Sequence, residues 1–348
     1  APFVTDAIRK RCENEVLGYT GKPDSYYNAI INWVKQRYDL IVTKEVINFV
    51  PGIVPGIGMA MNCFTQKGDK VMIQPPVYHP FAWVTTRNER TLVINPLRWE
   101  NGMYRMDLDA FREQIKGCKL FILCNPHNPG GVVWTEAELR AIADICYDEK
   151  VLVFSDEIHA DLTLPPHTHR PFATVSEKAR MNSVTFMSPS KAFNMPGLSA
   201  SHALIFNEDL RKRFRIYMDA GELDMGHVFA FLSVEAAYSH GTEWLDQCLA
   251  YIQGNIDFVD EFLKKHAPKI KAIRPEASYL VWLDCRELKL SQKDLNEFFV
   301  DKAHLALNDG EMFGKEGIGF MRLNVASPRC IIEKAMKQLA DAYQLYIK

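Results

Sequence analysis

The chain has 348 residues, 47% of them hydrophobic, enough to bury a large core and to divide into two domains. Its 41 basic and 43 acidic residues leave a formal charge of -2, which argues against nucleic acid or an anionic membrane as the main partner. No apolar run approaches the roughly 20 residues that span a bilayer, and eight cysteines (12, 63, 118, 124, 146, 248, 285 and 330) without a C-x-x-C pair read as reduced thiols of a cytoplasmic protein.

The first residue is Ala1 rather than Met, so the chain is expected to have lost N-terminal residues of a longer protein. From about residue 40 to 206, short apolar runs alternate with helical patterns. The runs predict strands at 46–50, 70–74, 91–95, 120–124, 151–155, 184–187 and 203–206. Helices are expected at 56–65, 81–88, 107–115 and 136–149. Apolar runs that do not alternate with polar residues suit strands buried on both faces, as in a mainly parallel sheet sandwiched by helices. After residue 208 helical patterns dominate (209–220, 227–240 and 242–266), followed by a strand at 279–284, a helix near 291–303, a strand at 319–325 and a closing helix from 331. This order reads as an α/β domain over 1–240 and a smaller α+β domain over 241–348.

In open α/β sheets ligands sit beyond the carboxyl ends of the strands, so the residues that follow each run carry the functional reading. The run 46–50 is followed by Pro51-Gly52-Ile53-Val54-Pro55-Gly56, small residues opening a helix whose backbone amides can approach an anion. It matches neither the dinucleotide nor the P-loop glycine pattern. Tyr78 follows 70–74 and can stack on a flat ring or simply fill a turn. After 120–124 come Asn125-Pro126-His127-Asn128-Pro129-Gly130-Gly131, where Asn128 offers a neutral donor to a phenolate-type oxygen. After 151–155 come Asp156, Glu157 and His159; a buried carboxylate there needs a partner such as a protonated pyridine nitrogen. Capping by Asp156 or Asp161, and metal binding by His159 or by the His167-Thr168-His169 pair, are the competing roles, but H-E-x-x-H is absent and no metal is expected. Lys191, in Ser188-Pro189-Ser190-Lys191-Ala192-Phe193-Asn194, follows the run 184–187 and suits an amine that bonds a carbonyl cofactor. Arg322 interrupts the strand 319–325 and needs either an acidic partner or a carboxylate ligand.

Four segments in this order, N-P-H-N-P-G, S-D-E-I-H, S-P-S-K and R-L-N, resemble the fold type I pyridoxal-phosphate enzymes of the class I/II aminotransferase superfamily, over nearly the whole chain. Within it, Gly18-Tyr19-Thr20-Gly21, Pro-Val-Tyr-His-Pro-Phe and Ser-Pro-Ser-Lys-Ala-Phe-Asn look like the cysteine-S-conjugate β-lyases of the cystathionine β-lyase and cystalysin type (MalY/PatB-like). Aminotransferases typically carry tyrosine three residues after the cofactor aspartate and often arginine eight after the lysine; here those positions are His159 and Ser199. The resemblance implies a seven-stranded sheet, pyridoxal 5'-phosphate as cofactor and an amino-acid substrate. It further implies that Lys191 bonds the cofactor and then serves as base, Asp156 pairs with the pyridine nitrogen, and Asn128 and His159 lie at the 3-oxygen. Tyr78 would stack on the ring, while Ser188, Ser190 and the amides of Ile53 and Val54 would hold the phosphate. Arg322, with Asn128 and Tyr19, would bind substrate, and Tyr19 would come from the other subunit of a homodimer. The implied reaction is α,β-elimination of a cysteine S-conjugate to pyruvate, ammonia and a thiol. A class I/II aminotransferase, a pyridoxal-phosphate-sensing regulator and a dinucleotide-dependent enzyme are the rival readings. The regulator wants a basic DNA-binding segment that the chain does not display, and the last lacks its glycine fingerprint.

Overall fold

A run such as Ser183–Met187, buried at every position, has no face for water and must sit between two layers. That demand organises the computed structural model, which describes residues 1–346. In chain order, helices α1 (Pro2–Cys12) and α2 (Asp24–Tyr38) precede β1 (Ile47–Val50), α3 (Ile53–Phe64), β2 (Lys70–Ile73), α4 (Pro80–Arg87) and β3 (Thr91–Ile94). A hairpin of β4 (Arg98–Glu100) and β5 (Met103–Arg105) leads to α5 (Leu108–Gln114), β6 (Cys118–Cys124), α6 (Glu136–Asp148) and β7 (Leu152–Asp156). Then come α7 (Glu177–Met181), β8 (Ser183–Met187), β9 (Ser201–Leu204), α8 (Glu208–Asp219), α9 (Val228–His240) and α10 (Thr242–His266). The last elements are β10 (Lys271–Ile273), β11 (Leu280–Asp284), α11 (Gln292–Glu297), β12 (Asn308–Asp309), β13 (Phe320–Asn324) and α12 (Arg329–Tyr346).

The expected seven-stranded sheet forms, in the order β1-β9-β8-β7-β6-β2-β3. Strands β3, β2, β6, β7 and β8 pair in parallel, and only β9 is reversed, antiparallel to both β8 and β1. A second, antiparallel sheet takes the order β10-β11-β13-β12. Local signals place the helices well. Thr135 accepts a bond from the Glu138 amide while Glu138 reaches back to the Thr135 amide, a capping box that starts α6 and stabilises it by about 1 kcal/mol.

The sequence did not announce α1 or α2. Only Val4 of α1 is buried, and both helices rest on tertiary contacts, as when Trp33 of α2 stacks on Tyr238 of α9 with centroids 4.8 Å apart. The helix expected at 291–303 is regular only to Glu297 and continues as a π-helical turn over Phe298–Lys302. Strands β10 and β12, three and two residues long, fall below the length at which periodicity can be read.

Candidate active site

Because the parallel strands and β1 share one direction, their carboxyl ends open on one edge, and the reversed β9 brings its amino end to that same edge. A cavity of about 560 Å3 lies there. Its walls include Ile53 and Val54 at the start of α3, Tyr78 and His79 after β2, and Cys124 and Asn128 at and beyond the end of β6. Asp156 and His159 enter from β7, Ser190 and Lys191 from β8, Ser199 and Ser201 from β9, and Tyr279, Arg322 and Asn324 from the smaller sheet.

The charges in this cavity are strongly shaped by burial. Asp156 ends β7 with 4% of its surface exposed, and its Oδ1 accepts one bond from the Ile158 amide (3.1 Å). Burial, with the Glu157 carboxylate adding to it, pushes its carboxyl up to about 7 against that bond and the Lys191 charge. Lys191 itself is pulled below the ordinary lysine value, first by burial and then by the Arg322 charge, with Asp156 opposing. Burial also holds His159 down at about 3, so its imidazole is neutral, and its Nδ1 has no hydrogen-bond partner among the described residues. Arg322 donates from Nη1 to Asn128 Oδ1 (2.9 Å) and from Nη2 to Asn308 Oδ1 (2.8 Å), while its buried Nε is left without an acceptor among the described residues. Burial lowers that guanidinium to about 10, still charged at neutral pH. No carboxylate pairs with Arg322 among the described residues, so the structural ion pair is not the reason for its place in β13.

At the start of α3, Gly52 has φ 142°, a backbone that L side chains rarely adopt. It turns the chain into α3, whose first residues Ile53 and Val54 line the cavity together with Ser190; amides in a helix's first turn lack intrahelical acceptors and suit an anion.

Residues 4–339 match the family model for aminotransferase class I and II. The chain belongs to that family. It is 37% identical to the cystathionine beta-lyase PatB of Bacillus subtilis (strain 168), an alignment covering 97% of this chain and 88% of the relative. Cystalysin from Treponema denticola, solved with pyridoxal 5'-phosphate, superposes with a TM-score of 0.97 at 34% identity, covering 100% of this chain and 89% of cystalysin. The C-S lyase from Staphylococcus hominis gives a TM-score of 0.92 at 33% identity, covering 99% and 90%. Pyridoxal 5'-phosphate is accordingly the cofactor of this family member.

The residues present fit that group. A buried carboxylate with a single amide donor suits a pyridinium, a desolvated lysine suits an aldehyde, and a helix N-terminus with serines suits a phosphate. Of the expected site residues, the cavity gathers Ile53, Val54, Tyr78, Asn128, Asp156, His159, Ser190, Lys191 and Arg322. Two lie outside it. Ser188 does not line the cavity: its Oγ donates to Ala200 O (2.8 Å), lies 2.9 Å from Ser190 Oγ and accepts from the Ser190 amide (3.1 Å), so it props Ser190 from behind. Tyr19 stands on the surface, 97% exposed, beside Leu17 and Met225.

His167 and His169, the suspected metal pair, go to separate carboxylates. His169 Nε2 meets the buried Glu157 at 2.7 Å, and His167 lies 3.8 Å from Glu276. Glu157 also accepts from Ser155 Oγ and the Phe172 amide, each at 2.8 Å, which fixes the loop immediately after Asp156. Asp161 caps nothing; it accepts from Trp33 Nε1 (3.0 Å) and from the Tyr38 hydroxyl, tying this loop to α2. Sequence reasoning missed His79, Tyr279 and Asn308, and named Ser199 only as the position where aminotransferases often carry arginine. His79 and Tyr279 each adjoin a predicted strand or a flagged tyrosine and could have been singled out on that ground. Nothing local marks Asn308, which is brought to Arg322 by pairing of β12 with β13.

Proposed function

We propose that the chain is a carbon–sulfur β-lyase that removes a thiol from cysteine S-conjugates, including cystathionine, by α,β-elimination. The observation that carries this reading is the convergence of Lys191, Asp156 and Arg322 on one cavity, in a member of a family whose relatives here are cystathionine and C-S lyases. When bound, pyridoxal phosphate supplies the electron sink that makes the substrate Cα–H acidic.

The chain's own groups do the rest. Ile53 and Val54 amides and Ser190 bind the phosphate, Asp156 keeps the pyridine nitrogen protonated, and Tyr78 covers the ring face. Asn128 Nδ2, whose Oδ1 is already engaged by Arg322, is free to donate to the 3-oxygen, with neutral His159 nearby. Arg322 receives the substrate carboxylate; its unpartnered Nε is a donor in need of an acceptor. That grip orients the Cα–H bond for Lys191, whose lowered proton affinity favours the neutral amine that accepts the Cα proton. The β-thiolate departs with the electron pair of the broken C–S bond, and aminoacrylate hydrolyses to pyruvate and ammonia.

We place residues 1–240 in a large cofactor-binding domain and 241–348 in a small one, residues 347 and 348 lying outside the described residues. The second sheet draws all its strands from 271–324, which supports that division. We further propose a homodimer in the cytoplasm. Exposed Val16, Leu17 and Tyr19 form an apolar edge suited to a second copy, with Tyr19 reaching its cavity. Eight free cysteines suit a reducing compartment, and no helix among the described residues is long and apolar enough to cross a membrane.

The test is L-cystathionine turnover with no 2-oxo acid added. Pyruvate and thiol appearing in equal amounts over many turnovers supports the lyase. Turnover that requires a 2-oxo acid acceptor would make the chain an aminotransferase.

A further inference from the structure

Beyond the walls already described, a second cavity of about 440 Å3 lies between α4 and residues 310–317 and shares His79 with the first. Its lining is mainly apolar: Val77, Trp83, Ile94, Met312 and Phe313 line it together with the charged Glu311, Lys315 and Glu316, and Trp83, Ile94 and Met312 are 45%, 40% and 43% exposed. Two residues join it to the substrate end of the site. Phe313 lines this cavity and also lies under the Arg322 guanidinium, 4.6 Å from its ring centroid. The His79 ring stands 4.4 Å from Trp83 and 5.8 Å from Phe313, centroid to centroid, and its buried Nδ1 has no partner among the described residues.

The wall is held in place rather than loosely draped. The Val77 amide donates to Phe313 O (2.8 Å). Gly314, at φ 124°, passes so close to Pro75 that an added Cβ would lie 2.7 Å from the proline Cβ. Arg87 stacks on Trp83, 5.0 Å from the ring, and fixes its plane.

We propose that this second cavity is the subsite for the sulfur substituent, and that it takes apolar thiols of aromatic size, such as a benzyl group. The proposal rests on the lyase reading for its substrate. A cysteine S-conjugate anchored by its carboxylate on Arg322 has the Phe313 and His79 wall beside it, and a small S-methyl group leaves the apolar chamber unfilled. Neutral His79 at the junction presents a polarisable ring edge without adding charge to that chamber.

The holoenzyme is assayed for pyruvate from S-benzyl-L-cysteine and S-methyl-L-cysteine. In parallel, the unreactive amino acids 2-amino-5-phenylpentanoate and norvaline are titrated by the change in the cofactor's visible band and in tryptophan fluorescence. Filling the chamber should favour the benzyl substrate by at least about 10-fold in kcat/KM, and the phenyl ligand by at least about 10-fold in Kd. Trp83→Ala, and independently Met312→Ala, should each cut the benzyl-to-methyl ratio by about 3-fold or more. Equal handling of the two substrates by the wild type, or a ratio untouched by both substitutions, overturns the subsite. If neither these substrates nor L-cystathionine yields pyruvate, the lyase reading fails by itself, and the ligand titration still decides the subsite: a phenyl preference lost in Trp83→Ala keeps it, and no preference removes it.

Discussion

At pH 8, Asp156→Asn protein stripped of cofactor should resist urea better than stripped wild type. The carboxyl at the end of β7 is held at about 7 by burial, against an ordinary 3.8. Between those values the folded state keeps a proton that the unfolded chain has released, so stability falls as pH rises from about 4 to about 7 and stays low above. The gap between 3.8 and about 7, at roughly 1.4 kcal/mol per pH unit, bounds the cost of the ionised carboxylate at about 4 kcal/mol. Asparagine keeps the Oδ1 that accepts from the Ile158 amide but carries no charge to bury. The variant should therefore gain up to about 4 kcal/mol at pH 8 and less than about 1 kcal/mol near pH 4. Urea unfolding of both stripped proteins at the two pH values measures this. With cofactor restored the order should reverse at pH 8, because the pyridinium then gives Asp156 its counter-charge. A variant no more stable than wild type at pH 8, or equally shifted at both pH values, would refute the claim that an unpaired charge is held there for the cofactor.

Other outcomes follow from the same geometry. Lys191→Ala should lower pyruvate formation by at least about 10^3-fold while far-ultraviolet circular dichroism stays unchanged, since the side chain bonds to nothing structural. Arg322→Lys removes the planar fork now spread over Asn128 and Asn308, and the KM for L-cystathionine should rise about 10- to 100-fold with a smaller change in kcat. Tyr38→Phe deletes a donor to the buried Asp161 and should cost about 1–3 kcal/mol in urea unfolding, with Trp33 left as the carboxylate's remaining partner.

What could be read from the chain was whatever the backbone direction alone dictates. Lys191, Asp156, Asn128 and Tyr78 each follow a buried strand within a few residues, so parallel pairing is sufficient to bring them together. For Ser188 and Ser190, two serines of one tight turn, spacing does not say which lines the cavity; Ser188 is engaged by the Ala200 carbonyl and Ser190 takes the wall. Asp161 looked like a cap because its partners, Trp33 and Tyr38, lie more than 120 residues away in a helix that local pattern did not reveal. Phe313 and Asn308 escaped notice for the same reason. Asn308 sits in the two-residue β12 and Phe313 in the short 3-10 turn over Gly310–Phe313 that follows it, and only register against β13 and stacking on Arg322 give them a place in the site.

Lys191 is the residue on which cofactor attachment, and with it the proposed elimination, depends. Borohydride reduction of the holoenzyme, followed by peptide mass mapping, reads this directly. A phosphopyridoxyl adduct is expected on the peptide containing Lys191, with pyruvate formation lost in proportion to labelling. An adduct on a different lysine, or none with activity intact, would contradict it.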